Sequence, residues 1–219
     1  MKDLAVVTTC MSRLEHLKAS LELLMPQNCG IVVVDYSCPE RCGDWVLQHH
    51  KDRVHVTCVP NQKYFNVAKA RNAGALFAER AGYTWLLFLD CDILVSPDFI
   101  DHVRSKIGKG IFLCFKNARL PGLVGLQTVD FTTIEGYDEG CEGYGYEDTH
   151  LLLKLDVIGL KRVFLDEAKV KQIGHDDSVR TKNYLEKSVG LSLMRNAGYT
   201  MTKLKEFAEK MKRKGQDCG

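Results

Sequence analysis

Two aspartates one residue apart, Asp90 and Asp92, follow the apolar run Leu86-Leu87-Phe88-Leu89. Residues i and i+2 of an extended segment face the same way, so both carboxylates can address one hard cation, and that cation can bridge the oxygens of a diphosphate. Such pairs also cap helices and turns. The position at the carboxyl end of a buried strand, where α/β sheets bind ligands, favours the cation. Thr8 and Thr9 end an earlier β-like run, and Asp35 ends the run Ile31 to Asp35. Hydroxyls, backbone amides and a carboxylate would then converge on one sheet edge as a nucleoside pocket, with Asp35 accepting from a base edge or ribose. The alternative is that Asp35 caps the turn after it. A third group is Asn66-Val67-Ala68-Lys69-Ala70-Arg71-Asn72-Ala73-Gly74. Small residues there would let a ligand approach, and the forked donors of Arg71 suit phosphate; a solvated Arg is the competing reading.

The elements that must position these residues alternate. Leu4 to Thr9 reads as a strand, and Ser12 with Glu15 reads as a capping box before a helix whose Leu14, Leu17, Leu21 and Leu24 share a face. Ile31 to Asp35 is a buried parallel-type strand, Asp44 to His50 a short helix, and Val54 to Val59 the next strand. Asn66 caps a helix through Arg80, Thr84 to Leu89 is an apolar strand, and Ser96-Pro97 opens a helix to about Ile107. This alternation predicts an α/β fold with a mostly parallel central sheet and helices on both faces.

The second half is richer in glycine. Ile111 to Phe115 and Thr128 to Thr133 read as strands, and Gly136 to Gly145 as a loop leading to a helix near Glu147. From Asp130 to Asp148 there are seven carboxylates and no Lys or Arg, a repulsion that calls for cations or polar ligands nearby. Lys203 to Lys214 reads as a Lys-rich amphipathic helix with a solvated face. The expected organisation is a single catalytic domain over 1–200, with a nucleotide-binding half at 1–95 and an acceptor half at 96–200, then a tail at 201–219.

Composition narrows the function classes. The 219 residues suit one domain or at most two, and 45% hydrophobic with 26% charged residues excludes a disordered or fibrous chain. A net charge of +2 carries no strong basic field, so a dedicated nucleic-acid binder is not expected. The apolar runs are too short for a membrane span, and Met1-Lys2-Asp3 leads into a β-like run rather than a signal peptide, so cytoplasm is the default. Nine cysteines do not read as a disulfide framework. Cys38 and Cys42, with Cys29 upstream and His49-His50 downstream, could be assembled around zinc, but paired Cys-x-x-Cys units are lacking.

Four motifs occur in one register: Phe65 to Gly74, Asp90-Cys91-Asp92, Ile134-Glu135-Gly136-Tyr137-Asp138-Glu139, and Gly143-Tyr144-Gly145-Tyr146-Glu147-Asp148. In order and spacing the chain resembles inverting GT-A glycosyltransferases, of the bacterial family 2 and galactosyltransferase C-terminal-domain type, over roughly residues 4 to 180. The resemblance implies a GT-A fold and transfer of a sugar from a nucleotide-sugar donor, a UDP-sugar by preference, to an acceptor hydroxyl. It implies Mn²⁺ or Mg²⁺ held by Asp92 and by a later histidine, here His175 in Ile173-Gly174-His175, with Asp90 near the ribose or the metal. Thr8, Thr9, Asp35, Arg71 and Asn72 would hold the nucleotide. Asp148 would be the catalytic base, kept charged by the helix N-terminus, and Glu147 would orient a sugar hydroxyl. A flexible stretch from His175 to Tyr184 would close over the donor.

Departures accompany the likeness. Galactosyltransferases carry Trp-Gly-Gly-Glu-Asp where this chain has Tyr144-Gly145-Tyr146-Glu147-Asp148, so a second aromatic reshapes the pocket. They carry Arg at the place of Val67, which leaves the phosphate contact to Arg71. Two rivals stay open at this point. A sugar-phosphate nucleotidyltransferase would normally show a glycine-rich loop after the first strand, which Thr8 to Arg13 lacks. A non-catalytic nucleotide-sugar or zinc-binding module would bind without turnover. The acceptor is expected to be a carbohydrate or another hydroxyl compound; a nucleic acid is possible but not favoured.

Overall fold

A computed structural model describes residues 3–116, 122–174, 176, 178 and 181–216. The first half follows the expected alternation: β1 (Leu4–Cys10), α1 (Leu14–Leu24), β2 (Gly30–Asp35), α2 (Cys42–His50), β3 (His55–Cys58), α3 (Val67–Arg80), β4 (Trp85–Phe88), β5 (Ile93–Val95) and α4 (Phe99–Lys106). The second half comprises β6 (Ile111–Cys114), β7 (Val124–Gln127), α5 (Thr128–Thr133), α6 (Glu147–Val157), β8 (Lys161–Phe164), a 3₁₀ turn (Glu167–Lys169), β9 (Val170–Gln172) and α7 (Val189–Gln216). Seven strands form one sheet in the order β3-β2-β1-β4-β7-β6-β8, parallel except for β7, which runs antiparallel to both neighbours.

Period-two alternation in β1 explains why the sheet is covered twice. Leu4, Val6 and Cys10 join a core with Leu17, Leu21 and Leu24 of α1, Val46 of α2 and Phe99 of α4. Ala5 and Val7 join the opposite core with α3, α6 and Phe207 of α7. The small residues of α3 serve this packing. Ala68, Ala70, Ala75 and Ala78 are buried, and a Cβ on Gly74 would stand 2.4 Å from Val7 Cγ1. They let the helix approach β1 and β2, rather than opening a path for a ligand as the sequence suggested.

Three local expectations are corrected. Ser12 and Glu15 make no capping box: Arg13 is the N-cap of α1, Ser12 has φ +58°, and Glu15 accepts instead from Lys18. The Leu14 amide donates to Glu40 Oε2 at 2.7 Å, a cap from the β2–α2 loop. Thr128–Thr133 is a helix, not a strand. The β4–β7 ladder begins with Trp85 opposite Gln127, and beyond it the Thr132 and Thr133 hydroxyls donate to the carbonyls of Thr128 and Val129, one helical turn back. The terminal helix begins well before Lys203. Its Ser192, Asn196 and Thr200 form a buried polar stripe rather than part of a solvated face.

Candidate active site

A cavity opens beside the carboxyl ends of β1 and β4, lined by Thr9, Arg13, Arg71, Asp90, Asp92, Glu147, Asp148 and Tyr184 among others. Its centre is the guanidinium of Arg71, on the sheet-facing side of α3 and only 2% exposed. Arg71 Nη2 donates to Asp90 Oδ1 at 2.7 Å and Nη1 to Asp148 Oδ1 at 2.5 Å, with Glu147 Oε1 at 3.9 Å. The Tyr137 hydroxyl also donates to Asp148 Oδ1, at 3.2 Å, and its ring lies 5.1 Å from the guanidinium. The solvated reading of Arg71 is therefore overturned. Burial works against the charge of this side chain, but Asp148, Tyr137 and Asp90 hold its pKa well above the ordinary value.

Asp92 is 2% exposed and accepts through Oδ2 from Arg13 Nη1 at 3.2 Å and from Gln172 Nε2 at 3.4 Å. β5 pairs with β9 so that Ile93 faces Gln172, and the Ile173 amide donates to the Asp92 carbonyl at 2.8 Å. The segment leading to His175 is thereby brought alongside Asp92; His175 itself lies outside the described residues.

Glu147 and Asp148 open α6, reached through Gly143 (φ +80°), Gly145 (φ +86°) and Tyr146 (φ +73°). The Gly145 conformation is held from α7: Asn196 Nδ2 donates to the carbonyls of Glu142 and Gly145, both at 2.9 Å, and Ser192 Oγ accepts from the Tyr144 amide. The helix N-terminus does not dominate the titration of the pair. Burial pushes Asp148 up, opposed by Arg71, and burial followed by repulsion from Asp148 pushes Glu147 up to about 8. Glu147 Oε2 is buried with no hydrogen-bond partner among the described residues.

Other expected residues are placed differently. Thr9 lines the cavity, whereas the buried Thr8 is not among its lining residues. Asp35 commits Oδ1 to the Cys38 amide at 2.8 Å and Oδ2 to the Gly43 amide at 2.7 Å, the capping alternative. Asn72 clamps the acidic loop, accepting from the Tyr137 amide at 2.9 Å and donating to the Tyr137 carbonyl and Glu139. That loop's charge is offset from distant sequence: Arg71 on Asp148, Lys210 on Glu135, and the Tyr199 hydroxyl on Asp138. The described end of the expected lid is anchored, with the Asn183 side chain donating to the Met11 carbonyl and the Asn183 carbonyl accepting from the Phe65 amide.

Sequence reasoning missed Arg13, Tyr137 and Asn196. Arg13 and Asn196 meet partners far along the chain, with no local pattern to mark the pairing, whereas Tyr137 sits in a motif that was noticed without assigning this side chain a contact.

Four carboxyl groups face two guanidinium groups among the described residues lining the cavity, a set rich in hard oxygen donors. That set suits Mg²⁺ or Mn²⁺ rather than a thiophilic metal.

The strand order, the antiparallel β7 and the cleft at the strand ends define a GT-A glycosyltransferase fold. Solved structures share it: the catalytic domain of Drosophila β1,4-galactosyltransferase 7 with xylobiose superposes with a TM-score of 0.60 at 16% identity, over 89% of this chain and 79% of that one. GalNAc-T7 with UDP, GalNAc and Mn²⁺ gives 0.63 at 14%, over 80% and 43%. S. aureus TarS 1-349 gives 0.61 at 15%, over 75% and 58%.

The family model for glycosyl transferase family 2 matches residues 5–115, just over half of the chain, and the chain belongs to that family. A model described as the N-terminal domain of galactosyltransferase matches residues 103–176. Among curated proteins, the dTDP-rhamnosyl transferase RfbF of Shigella flexneri is 29% identical over 116 residues, 50% of this chain and 38% of that protein. The match thus spans less than half of that relative's length.

Proposed function

We propose that the chain transfers a sugar from a nucleotide-sugar donor to an acceptor hydroxyl, in a metal-dependent single displacement that inverts the anomeric centre. The observation that carries this reading is the Arg71 bridge, which ties the strand-end carboxylate Asp90 to the helix-start carboxylate Asp148 in one cleft. Asp90, Asp92 and His175 are the residues that would hold Mn²⁺ or Mg²⁺, and the ion when bound would neutralise charge on the departing diphosphate. Support for the ion comes from the hard oxygen donors of the cavity and from the structural neighbour GalNAc-T7, solved with UDP and Mn²⁺.

Asp148 takes the proton from the acceptor hydroxyl as its oxygen bonds to the anomeric carbon and the bond from that carbon to the diphosphate oxygen breaks. An α-linked donor then gives a β-linked product. Raised basicity suits Asp148 to this role, because a general base works best with a pKa closer to neutral than that of an exposed aspartate. Arg71 and Tyr137 fix its Oδ1, and Glu147 orients a sugar hydroxyl. Thr9 contacts the nucleotide, while Thr8, Asp35 and Asn72 hold the elements around it.

A UDP-sugar is the donor we favour; the rhamnosyl relative makes a dTDP-sugar the second to assay. The acceptor class is a carbohydrate hydroxyl, supported by the neighbour bound to xylobiose. The test is donor turnover with Mn²⁺ across a nucleotide-sugar panel, then an acceptor panel with the active donor. Release of the nucleoside diphosphate coupled to a new glycoside is expected. Pyrophosphate formation from a nucleoside triphosphate and a sugar phosphate, or binding without turnover, would overturn the reading.

A further inference from the structure

Three cysteines, one at the end of β1 and two beside the start of α2, meet in the interior. The sulfurs of Cys10, at the end of β1, Cys38, in the loop after β2, and Cys42, the first residue of α2, all lie within 4.8 Å of one another. All three are buried and none is in a disulfide. A fourth buried thiol, Cys91, is within hydrogen-bonding reach of Cys10. No other group of three or more His, Cys, Asp or Glu side chains converges this closely among the described residues.

We propose that Cys10, Cys38 and Cys42, completed by Cys91, bind one structural zinc ion. Zinc–sulfur bonds of about 2.3 Å in a tetrahedron put the sulfurs about 3.8 Å apart, so the three clustered sulfurs need to contract by no more than about an ångström, with Cys91 moving in from farther out as the fourth ligand. One feature favours the thiolate that zinc requires. The Ser12 amide donates to Cys38 Sγ at 3.3 Å, the kind of outer hydrogen bond that orients a metal ligand. Cys38 and Cys42 are three residues apart in the intervening sequence, within the spacing of zinc knuckles; what the sequence could not supply was Cys10, which the β1–β2 pairing brings opposite Asp35.

The position gives the ion a purpose independent of the transfer reaction. It would pin together the ends of β1 and β2 and, through Cys91, the Asp90-Cys91-Asp92 triplet. The soft sulfur set keeps it chemically distinct from the carboxylate set of the cleft.

The test is on the intact chain, produced in zinc-supplemented medium, purified under reductant without chelator and analysed for metal by mass spectrometry. About one zinc per chain is expected, with the exposed Cys58 reacting promptly with a thiol reagent while the cluster stays protected until zinc is stripped. Exchange for Co²⁺ should give a sulfur-to-cobalt charge-transfer band with tetrahedral d–d bands, which carboxylate ligands cannot produce. Cys38→Ser should weaken zinc binding by more than about 100-fold, beyond the range caused by losing an outer partner. Reduced wild-type protein with neither zinc nor a cobalt charge-transfer band would overturn the proposal, as would a disulfide among the three with no metal. Because these readouts use sulfur ligation, they stand whether or not the transfer reaction is found.

Discussion

Asp90 and Asp148 share one guanidinium: Arg71 donates to the first at 2.7 Å and to the second at 2.5 Å. A residue only 2% exposed thus ties the strand end that carries the Asp-x-Asp pair to the helix that carries the proposed base. Removing one partner of a buried ion pair leaves uncompensated charge and costs about 3–5 kcal/mol. For a chain of this size each kcal/mol lowers Tm by about 2–4 °C. Arg71→Ala should therefore melt about 6–20 °C below wild type, with Arg71→Lys recovering part of the loss because it restores charge without the fork. Equal melting of all three by calorimetry would remove the bridge from the account.

The titration of Glu147 predicts a pH dependence. In the fold it is held at about 8, against an ordinary 4.5, so the neutral acid is the favoured form. Its contribution to stability is complete below about pH 4.5 and is lost as pH climbs through about 8. Glu147→Gln fixes the neutral form, so its stability relative to wild type should improve from about pH 4.5 to about pH 8 and level off above that in urea titrations. A difference independent of pH would mean that burial does not raise this group.

Tyr146 adopts φ +73° where galactosyltransferases carry glycine. Left-handed backbone costs an ordinary residue about 1–2 kcal/mol, and glycine's own flexibility costs about 0.5–1. Tyr146→Gly should leave stability unchanged or raise it by up to about 1 kcal/mol, while lowering kcat/KM through loss of an aromatic that lines the cleft. Tyr146→Ala keeps the strain and loses the ring, and should be the less stable variant. The reverse order of melting would contradict the strain.

Asp92→Ala and His175→Ala should each weaken Mn²⁺-dependent UDP binding by at least about 10–100-fold, since even loss of an outer partner has that effect. Calorimetry with and without Mn²⁺ reads this directly. Unchanged metal dependence in both would discard the ligand set.

The first half of the fold was legible because its strands are continuous apolar runs and Asn66 caps α3 through the Lys69 amide as the sequence suggested. Thr128–Thr133 misled because β-branched residues match a strand by type, while their hydroxyls satisfy themselves within a helical turn. In the site, Asp90, Asp92, Glu147 and Asp148 stood out by motif. Arg71 was noticed for phosphate, but its burial between two carboxylates depends on tertiary packing. Arg13 and Asn196 bear no local mark: one meets Asp92 and the other the Glu142–Gly145 backbone only after the chain has folded.

The central claim is that Asp148 accepts the acceptor's proton. Asp148→Asn keeps the side chain's size, and an essential base accounts for about 10²–10⁴ in rate. Sugar transfer by this variant, measured alongside its UDP–Mn²⁺ affinity on the same preparation, should fall by that factor with affinity within a few-fold of wild type; transfer at the wild-type rate would contradict it.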